Sequence, residues 1–226
     1  AIESVKDGLD HCHKLPPHTR GVASVLRSIF LKLPQVNGER AQYSAIHSIV
    51  DGYEGTVTEI IEGRKILTEE ERLIVAIDLL EGLMQLHAKN IILSDIKGDN
   101  ALFRYRNGMI EAALHDFDLA FDATERRNLI YTLKHGYYGA AHSTAPELFL
   151  ATKLPIADEA YKKIEVFALG ILLWGILRKG KRIPWIKHID ASYLKFNHVT
   201  QQQSDPAAHK TNKANLLNSI TKYVET

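Results

Sequence analysis

Apolar residues recur at Ile2, Val5, Leu9 and Cys12, three or four positions apart, which predicts an amphipathic helix over Ala1–Leu15. Pro16 and Pro17 end it, because proline cannot donate to a helical ladder. Val22 to Leu33 is rich in β-branched and aliphatic residues, and Gln42 to Val50 repeats that character after a Pro34–Gly38 turn. The two runs are expected to pair as a hairpin with a longer loop. Gly52 and Gly55 mark an irregular connection before a short helix around Thr56 to Glu62. Thr68, followed three residues later by Glu71, forms a capping-box signature. Leu73, Ile77, Leu80 and Met84 then continue at helical spacing until Asn90.

Asn107-Gly108 separates the apolar runs Ala101–Tyr105 and Met109–Leu114, a tight-hairpin signal. Beyond His115 a long polar loop is expected as far as about Thr144. Pro146 opens a short helix, and Ile164 to Leu177 reads as a strongly apolar one. Gln201 to Pro206 reads as an exposed loop. Helix, hairpin, helix, hairpin and then helices is an α+β pattern.

Composition narrows the partners. With 28 Lys and Arg against 27 Asp and Glu, the formal net charge is +1, which gives no electrostatic case for nucleic acid or an anionic membrane. No stretch reaches the roughly 18 apolar residues of a membrane span. Ile164–Leu177 is interrupted by Glu165 and flanked by Lys162, Lys163 and Arg178. Charged residues at Glu3, Lys6, Asp7 and Asp10 leave no apolar signal segment at the start. The single Cys12 cannot form an internal disulfide, which suits a reducing, cytoplasmic compartment. His11 and His13 flank it, but at positions i and i+2 of a helix they point apart, so a zinc site is discounted.

Leu93-Ser94-Asp95-Ile96-Lys97-Gly98-Asp99-Asn100 places Asp, Lys and Asn in one loop between a long helix and a hairpin. Such a loop can present a carboxylate to orient a hydroxyl, an ammonium to offset phosphate charge and an amide oxygen for a metal. Phosphoryl transfer needs that set, because its catalysis is mostly positioning and charge stabilisation. The plainer alternative is a polar turn with Asp95 and Lys97 as a surface pair. Sixteen residues after Asn100 comes Asp116, followed by Phe117 and Asp118. Mg²⁺ takes a few hard oxygen ligands, so Asn100 and Asp116 make a candidate pair, against the alternative of a solvated strand end. Ala145-Pro146-Glu147 is by itself an ordinary helix start.

In order and spacing, these three elements resemble the catalytic loop, the metal-binding DFG and the APE of protein kinases. The resemblance runs from the start of the chain to about Trp185, whose Pro184-Trp185 is similar to the pair that follows the central helix in that family. It implies a kinase-like fold with residues 1–50 as a remnant of the N-lobe, beginning near the regulatory helix, and residues 51–226 as the C-lobe. Asp95 would then be the catalytic base and Lys97 would contact the transferring phosphate. Asn100 and Asp116 would hold Mg²⁺. Val50, Asp51 and Gly52 would offer hinge groups to ATP, with Leu102 under its adenine ring. Leu93 and Phe117 would belong to an apolar spine. Lysine two residues after the base is similar to the Ser/Thr-directed class, so the implied reaction is transfer to Ser or Thr of a protein substrate.

The chain also departs from that pattern. Leu93 and Ser94 stand where the family has His and Arg, so no cation there can receive a phosphate on the activation segment; the chain resembles the non-RD kinases. Asp118 replaces the DFG glycine, and Glu165 stands where an aspartate normally braces the catalytic loop. The resemblance also expects a glycine-rich loop and a strand lysine upstream of Ala1. These departures keep open a pseudokinase that binds or scaffolds without transfer. A small-molecule kinase of similar fold fits less well with the Ala-Pro-Glu segment and the central helix. The compact, divergent character is similar to kinase-type effectors that bacteria deliver into host cells, which would place it in host cytosol. Residues after about Ile189 match the family least and are the expected docking region for a substrate or a regulatory protein partner.

Overall fold

The computed structural model describes residues 15–16, 18–32, 43–50, 52–124, 143, 145 and 158–178, with backbone only for 25–32, 43–50 and 158–159. In chain order the strands are β1 (Gly21–Val22), β2 (Val25–Lys32), β3 (Tyr43–Val50), β4 (Gly55–Thr56), β5 (Ile91–Ile92), β6 (Ala101–Arg106), β7 (Met109–Leu114) and β8 (Phe121–Asp122). The helices are α1 (Val57–Ile61), α2 (Glu69–Ala88) and α3 (Asp158–Leu177). This is the α+β arrangement expected. Residues 1–14 of the first predicted helix and the predicted helix from Pro146 lie outside the described residues, as does everything after Arg178.

The turn chemistry at Asn107-Gly108 acts as anticipated. Both residues take positive φ, 52° and 78°, which matches the right-handed twist of a two-residue hairpin. β6 and β7 pair antiparallel from Ala101 opposite Leu114 to Arg106 opposite Met109. They form the centre of a four-stranded sheet ordered β1, β7, β6, β4. β2 and β3 pair as the predicted hairpin, with Ser28 opposite Ser48. The sequence pattern joins Val22 to β2, but the strand breaks at Ala23-Ser24. β1 instead runs parallel to β7, with Gly21 opposite Ala113.

At the start of α2 both halves of the capping box are present. The Glu71 N–H donates to Thr68 Oγ1 at 3.1 Å, and the Thr68 N–H donates to Glu71 Oε2 at 2.8 Å. Tyr105 of β6 donates its hydroxyl to the other oxygen of Glu71 at 2.7 Å. The Thr68 N–H, then the Tyr105 hydroxyl, hold the Glu71 carboxyl below its usual pKa. Burial, then the same carboxylate, push Tyr105 up to about 12.

The face that α2 buries differs from the one the apolar spacing marks. Leu73, Ile77, Leu80 and Met84 are all exposed, Met84 at 68%. The inward face carries Val75, Ala76, Leu79, Gly82, Leu83 and Leu86, with Arg72 and Asp78 buried among them. Small residues explain the choice. Gly21, at φ 76°, crosses Gly82 so closely that a Cβ on Gly82 would lie 2.0 Å from the Gly21 carbonyl oxygen. Only a face with glycine lets β1 and α2 touch backbone to backbone.

The main core collects Val57 and Ile60 from α1, Leu79, Leu83 and Leu86 from α2, Phe103 and Leu114 from the hairpin, and Leu169, Leu172 and Ile176 from α3. Each such side chain contributes about 1.5–3 kcal/mol of burial. A second cluster under β5 and β8 contains Ile92, Phe121, Tyr161 and Ile164. There the Phe121 and Tyr161 rings meet edge to face at 5.2 Å. Thus a short strand, β8, stands within the stretch expected to be a polar loop.

Candidate active site

The loop between β5 and the hairpin is fixed at both ends by regular structure. Ile91 and Ile92 pair with Asp122 and Phe121, and Gly98–Asn100 form one 3₁₀ turn leading into β6. Gly98 packs against α1 so tightly that a Cβ there would come within 2.5 Å of Thr58 Oγ1. Leu93, Ser94 and Ile96 are buried, while Asp95 and Lys97 are partly open. An apolar anchor on each side of Asp95 therefore turns its carboxylate outward without leaving it mobile.

Two of the expected site residues converge on that carboxylate. Lys97 Nζ lies 2.6 Å from Asp95 Oδ2, with side-chain exposures of 28% and 15%. Asn100, itself buried, donates from Nδ2 to Asp95 Oδ2 at 3.1 Å and to the Asp95 carbonyl at 3.0 Å. This is more enclosed than a surface ion pair. The Asn100 amide has its nitrogen committed inside the loop, which leaves its oxygen as the group able to meet a cation.

Asp116 reaches the same region through the backbone. The His115 N–H donates to the Asn100 carbonyl at 2.8 Å, so the residue before Asp116 is tied to the end of the catalytic-type loop. Asp116 takes φ 69°, and Ser94 takes φ 73°. Left-handed conformations on non-glycine residues cost about 1–3 kcal/mol each and persist where surroundings over-determine them. Asp116 Oδ1 accepts the Asp118 N–H at 3.2 Å. Partial burial of its carboxyl, then the Asp116 charge, push Asp118 above its ordinary pKa, and His115 pulls it back.

Glu165 of α3 supplies the main brace. It is fully buried, and its Oε1 accepts the Leu93 N–H at 2.8 Å and the Ser94 N–H at 2.9 Å. Its Oε2 meets His87 Nε2 at 2.8 Å. The glutamate read as a departure therefore holds the loop backbone, reaching it from 71 and 72 residues away in sequence. His87 and the Ser94 hydroxyl, which donates to the Leu119 carbonyl at 3.1 Å, carry no local signal that would single them out.

The nucleotide-side expectations are spread more widely. Leu102 is half-buried on β6, opposite Thr56 of β4 and Ala113 of β7. Glu54 donates its N–H to the Phe103 carbonyl at 2.9 Å, so the segment just after Gly52 runs beside Leu102. Val50 ends β3 opposite Val25, Gly52 is exposed, and Asp51 lies outside the described residues. Leu93 and Phe117, expected as spine residues, are both 2% exposed and share the main core. A cavity of about 400 Å³ lies elsewhere, between Arg20, Tyr53, Asp78 and Arg104, and none of Asp95, Lys97, Asn100 or Asp116 lines it.

The donors present fit Mg²⁺. One carboxylate and one amide oxygen are hard ligands, and that ion is usually held by one or two carboxylates completed by phosphate oxygens and water. Among the described residues no cluster of three His, Cys, Asp or Glu could cage a metal alone. Also among them, no helix is long and apolar enough to cross a membrane.

Comparison with known proteins gives a consistent answer. The sequence model of the protein kinase domain matches residues 31–224. The chain is 36% identical over 172 residues to the serine/threonine-protein kinase CLA4 of Candida albicans, covering 75% of this chain and 16% of that protein. It is 29% identical over 167 residues to the serine/threonine-protein kinase shk2 of Schizosaccharomyces pombe, covering 73% and 26%. This chain thus spans about a quarter or less of these relatives. Among solved structures, a chain of the yeast RNA Pol II CTD kinase CTDK-1 complex superposes with a TM-score of 0.62 at 16% identity, over 96% of this chain and 56% of that one. That likeness is one of fold.

Proposed function

Because the chain belongs to the protein kinase domain family, we propose that it transfers the terminal phosphoryl group of ATP to Ser or Thr of a protein substrate. The observation that carries this reading is the meeting of Lys97 and Asn100 on the one Asp95 carboxylate, on a loop held by a buried Glu165. In this reading residues 1–50 belong to the N-lobe and 51–226 to the C-lobe. A cytoplasmic setting, which supplies ATP, suits this reading.

In this mechanism Asp95 orients the attacking hydroxyl and accepts its proton as the new P–O bond forms and the bond from the terminal phosphorus to the departing ADP breaks. The Lys97 ammonium, now paired with Asp95, moves onto the transferring phosphate and offsets its charge, yielding its place on the carboxylate to the hydroxyl. Asn100 Oδ1 and the Asp116 carboxylate would hold Mg²⁺, which would neutralise charge on the phosphates. Leu102 and the Val50–Gly52 segment seat the adenine. Pre-positioning of this kind lowers the barrier without covalent chemistry by the protein.

The test pairs the wild type with Asp116→Ala in Mg²⁺ and labelled ATP, with and without a generic Ser/Thr substrate. Transfer by the wild type that disappears in the variant is the expected result. A wild type that transfers nothing, yet shows a thermal shift with Mg²⁺ and ATP, would favour the alternative of a pseudokinase acting as a binding module. The Asp118 carboxylate beside Asp116 is the observation behind that second reading.

A further inference from the structure

The antiparallel register of β5 and β8 sets Ile91 opposite Asp122 and Ile92 opposite Phe121. Continued two residues further, the same register sets Ser94 opposite Leu119. The backbone does not follow it that far. Ser94 turns to φ 73°, and its N–H is taken by Glu165 instead of by the facing strand. The Leu119 carbonyl would lose its ladder donor at that point. The Ser94 hydroxyl takes the donor's place, at 3.1 Å, and the residue is only 4% exposed.

One residue after Ser94 stands Asp95, and three residues before Leu119 stands Asp116. The ladder thus ends in a side-chain hydrogen bond that joins the two loops carrying those carboxylates. We propose that Ser94 is a positioning residue: its hydroxyl latches the Asp116 loop to the Asp95 loop and so regulates their register from within the chain, by a neutral bond. This rests on the phosphoryl-transfer reading for its purpose, although the latch itself can be measured without any reaction. The hydroxyl donates to a backbone carbonyl, so it acts through the backbone it holds. A charged residue at this position would need an anion to hold it; the serine needs only a carbonyl that is already in place.

The experiment compares the full chain with Ser94→Ala and Ser94→Gly by hydrogen exchange and mass spectrometry. Glycine accepts positive φ at least as readily as serine, so a change common to both variants traces to the lost hydroxyl and not to backbone preference. Peptides covering residues 116–122 are expected to exchange about tenfold faster in both variants, while α2 keeps its protection. Unchanged exchange over 116–122 overturns the latch, and so does an equal acceleration in α2, which would mean general destabilisation. A Mn²⁺ titration followed by electron paramagnetic resonance in the presence of ATP then reads its consequence. Both variants are expected to bind the ion about fivefold more weakly than the wild type; equal affinity overturns the positioning role. A wild type that binds no Mn²⁺ with ATP sinks the phosphoryl-transfer reading instead, and the exchange result then decides the latch alone.

Discussion

Glu165 and Asp78 are both buried carboxylates that accept backbone N–H groups from segments far away in sequence, yet they hold different kinds of structure. Glu165 takes two N–H groups of an irregular loop, with His87 on its second oxygen. Asp78 takes the N–H of Ala112 in β7 at 2.9 Å, and Arg20 lies 2.8 Å from its other oxygen. β7 is also paired on both edges, with β6 and with β1. The Leu93–Ser94 segment lies beyond the end of the β5–β8 pairing. A buried acceptor beside a paired strand adds to order that already exists. A buried acceptor beside an irregular loop supplies much of the order there is.

The largest consequence falls on Glu165→Ala. It leaves two buried N–H groups without acceptors, at about 1–3 kcal/mol each, and releases the loop that carries Asp95. Urea unfolding should show the full loss, and label transfer per folded molecule should fall by at least tenfold. Asp78→Ala orphans one buried N–H and leaves Arg20, already 59% exposed, to its second partner Glu81 at 3.1 Å. Its expected cost is about 1–3 kcal/mol, with transfer per folded molecule changed less than twofold. If the two variants cost the same, or if Asp78→Ala also abolishes transfer, the distinction between loop brace and strand brace is lost.

A smaller effect separates the two by pH. Burial pushes the Asp78 carboxyl above its ordinary value, against the pull of the Ala112 N–H and Arg20. The folded state therefore binds this proton more tightly than the unfolded chain, and Asp78 makes stability fall as pH rises from the ordinary carboxylate value through the raised one. Asp118, also pushed up, acts in the same direction. Glu71, held low, acts oppositely: its contribution is present above its ordinary value and fades as pH drops through the lowered one. Asp78→Asn keeps an oxygen for Ala112 but cannot titrate. Urea midpoints across the acid range should show the wild type losing ground to this variant as pH rises through the window; parallel curves would mean that Asp78 does not titrate there.

How much of this could be read from the residues depends on the range of the interaction. The capping box at Thr68 and the Asn107-Gly108 turn are local, and each formed as spaced. Asp95, Lys97 and Asn100 lie within six positions, so one loop was bound to bring them near each other. The inward face of α2 was misjudged because Val75, Leu79, Leu83 and Leu86 recur at the same helical spacing as Leu73, Ile77, Leu80 and Met84, so periodicity does not choose between the two rows. What decides packing at that crossing is how closely backbones must approach, and a glycine announces that only when its partner is known. β8 was missed because two residues carry too little pattern to stand out from a polar loop.

The sequence by itself determined the Asn107-Gly108 turn, the capping box of α2 and the cluster around Asp95, because each depends on side chains within a few residues of the backbone they act on. The tertiary structure alone decided which face of α2 is covered, that Glu165 reaches the Leu93 and Ser94 N–H groups, that His87 meets Glu165, and that the Ser94 hydroxyl closes on Leu119. Those contacts join residues 25 to 78 positions apart. A buried polar group must find a partner somewhere, but no local pattern names it; only the packing of α2, α3 and the two short strands brings the right one within reach.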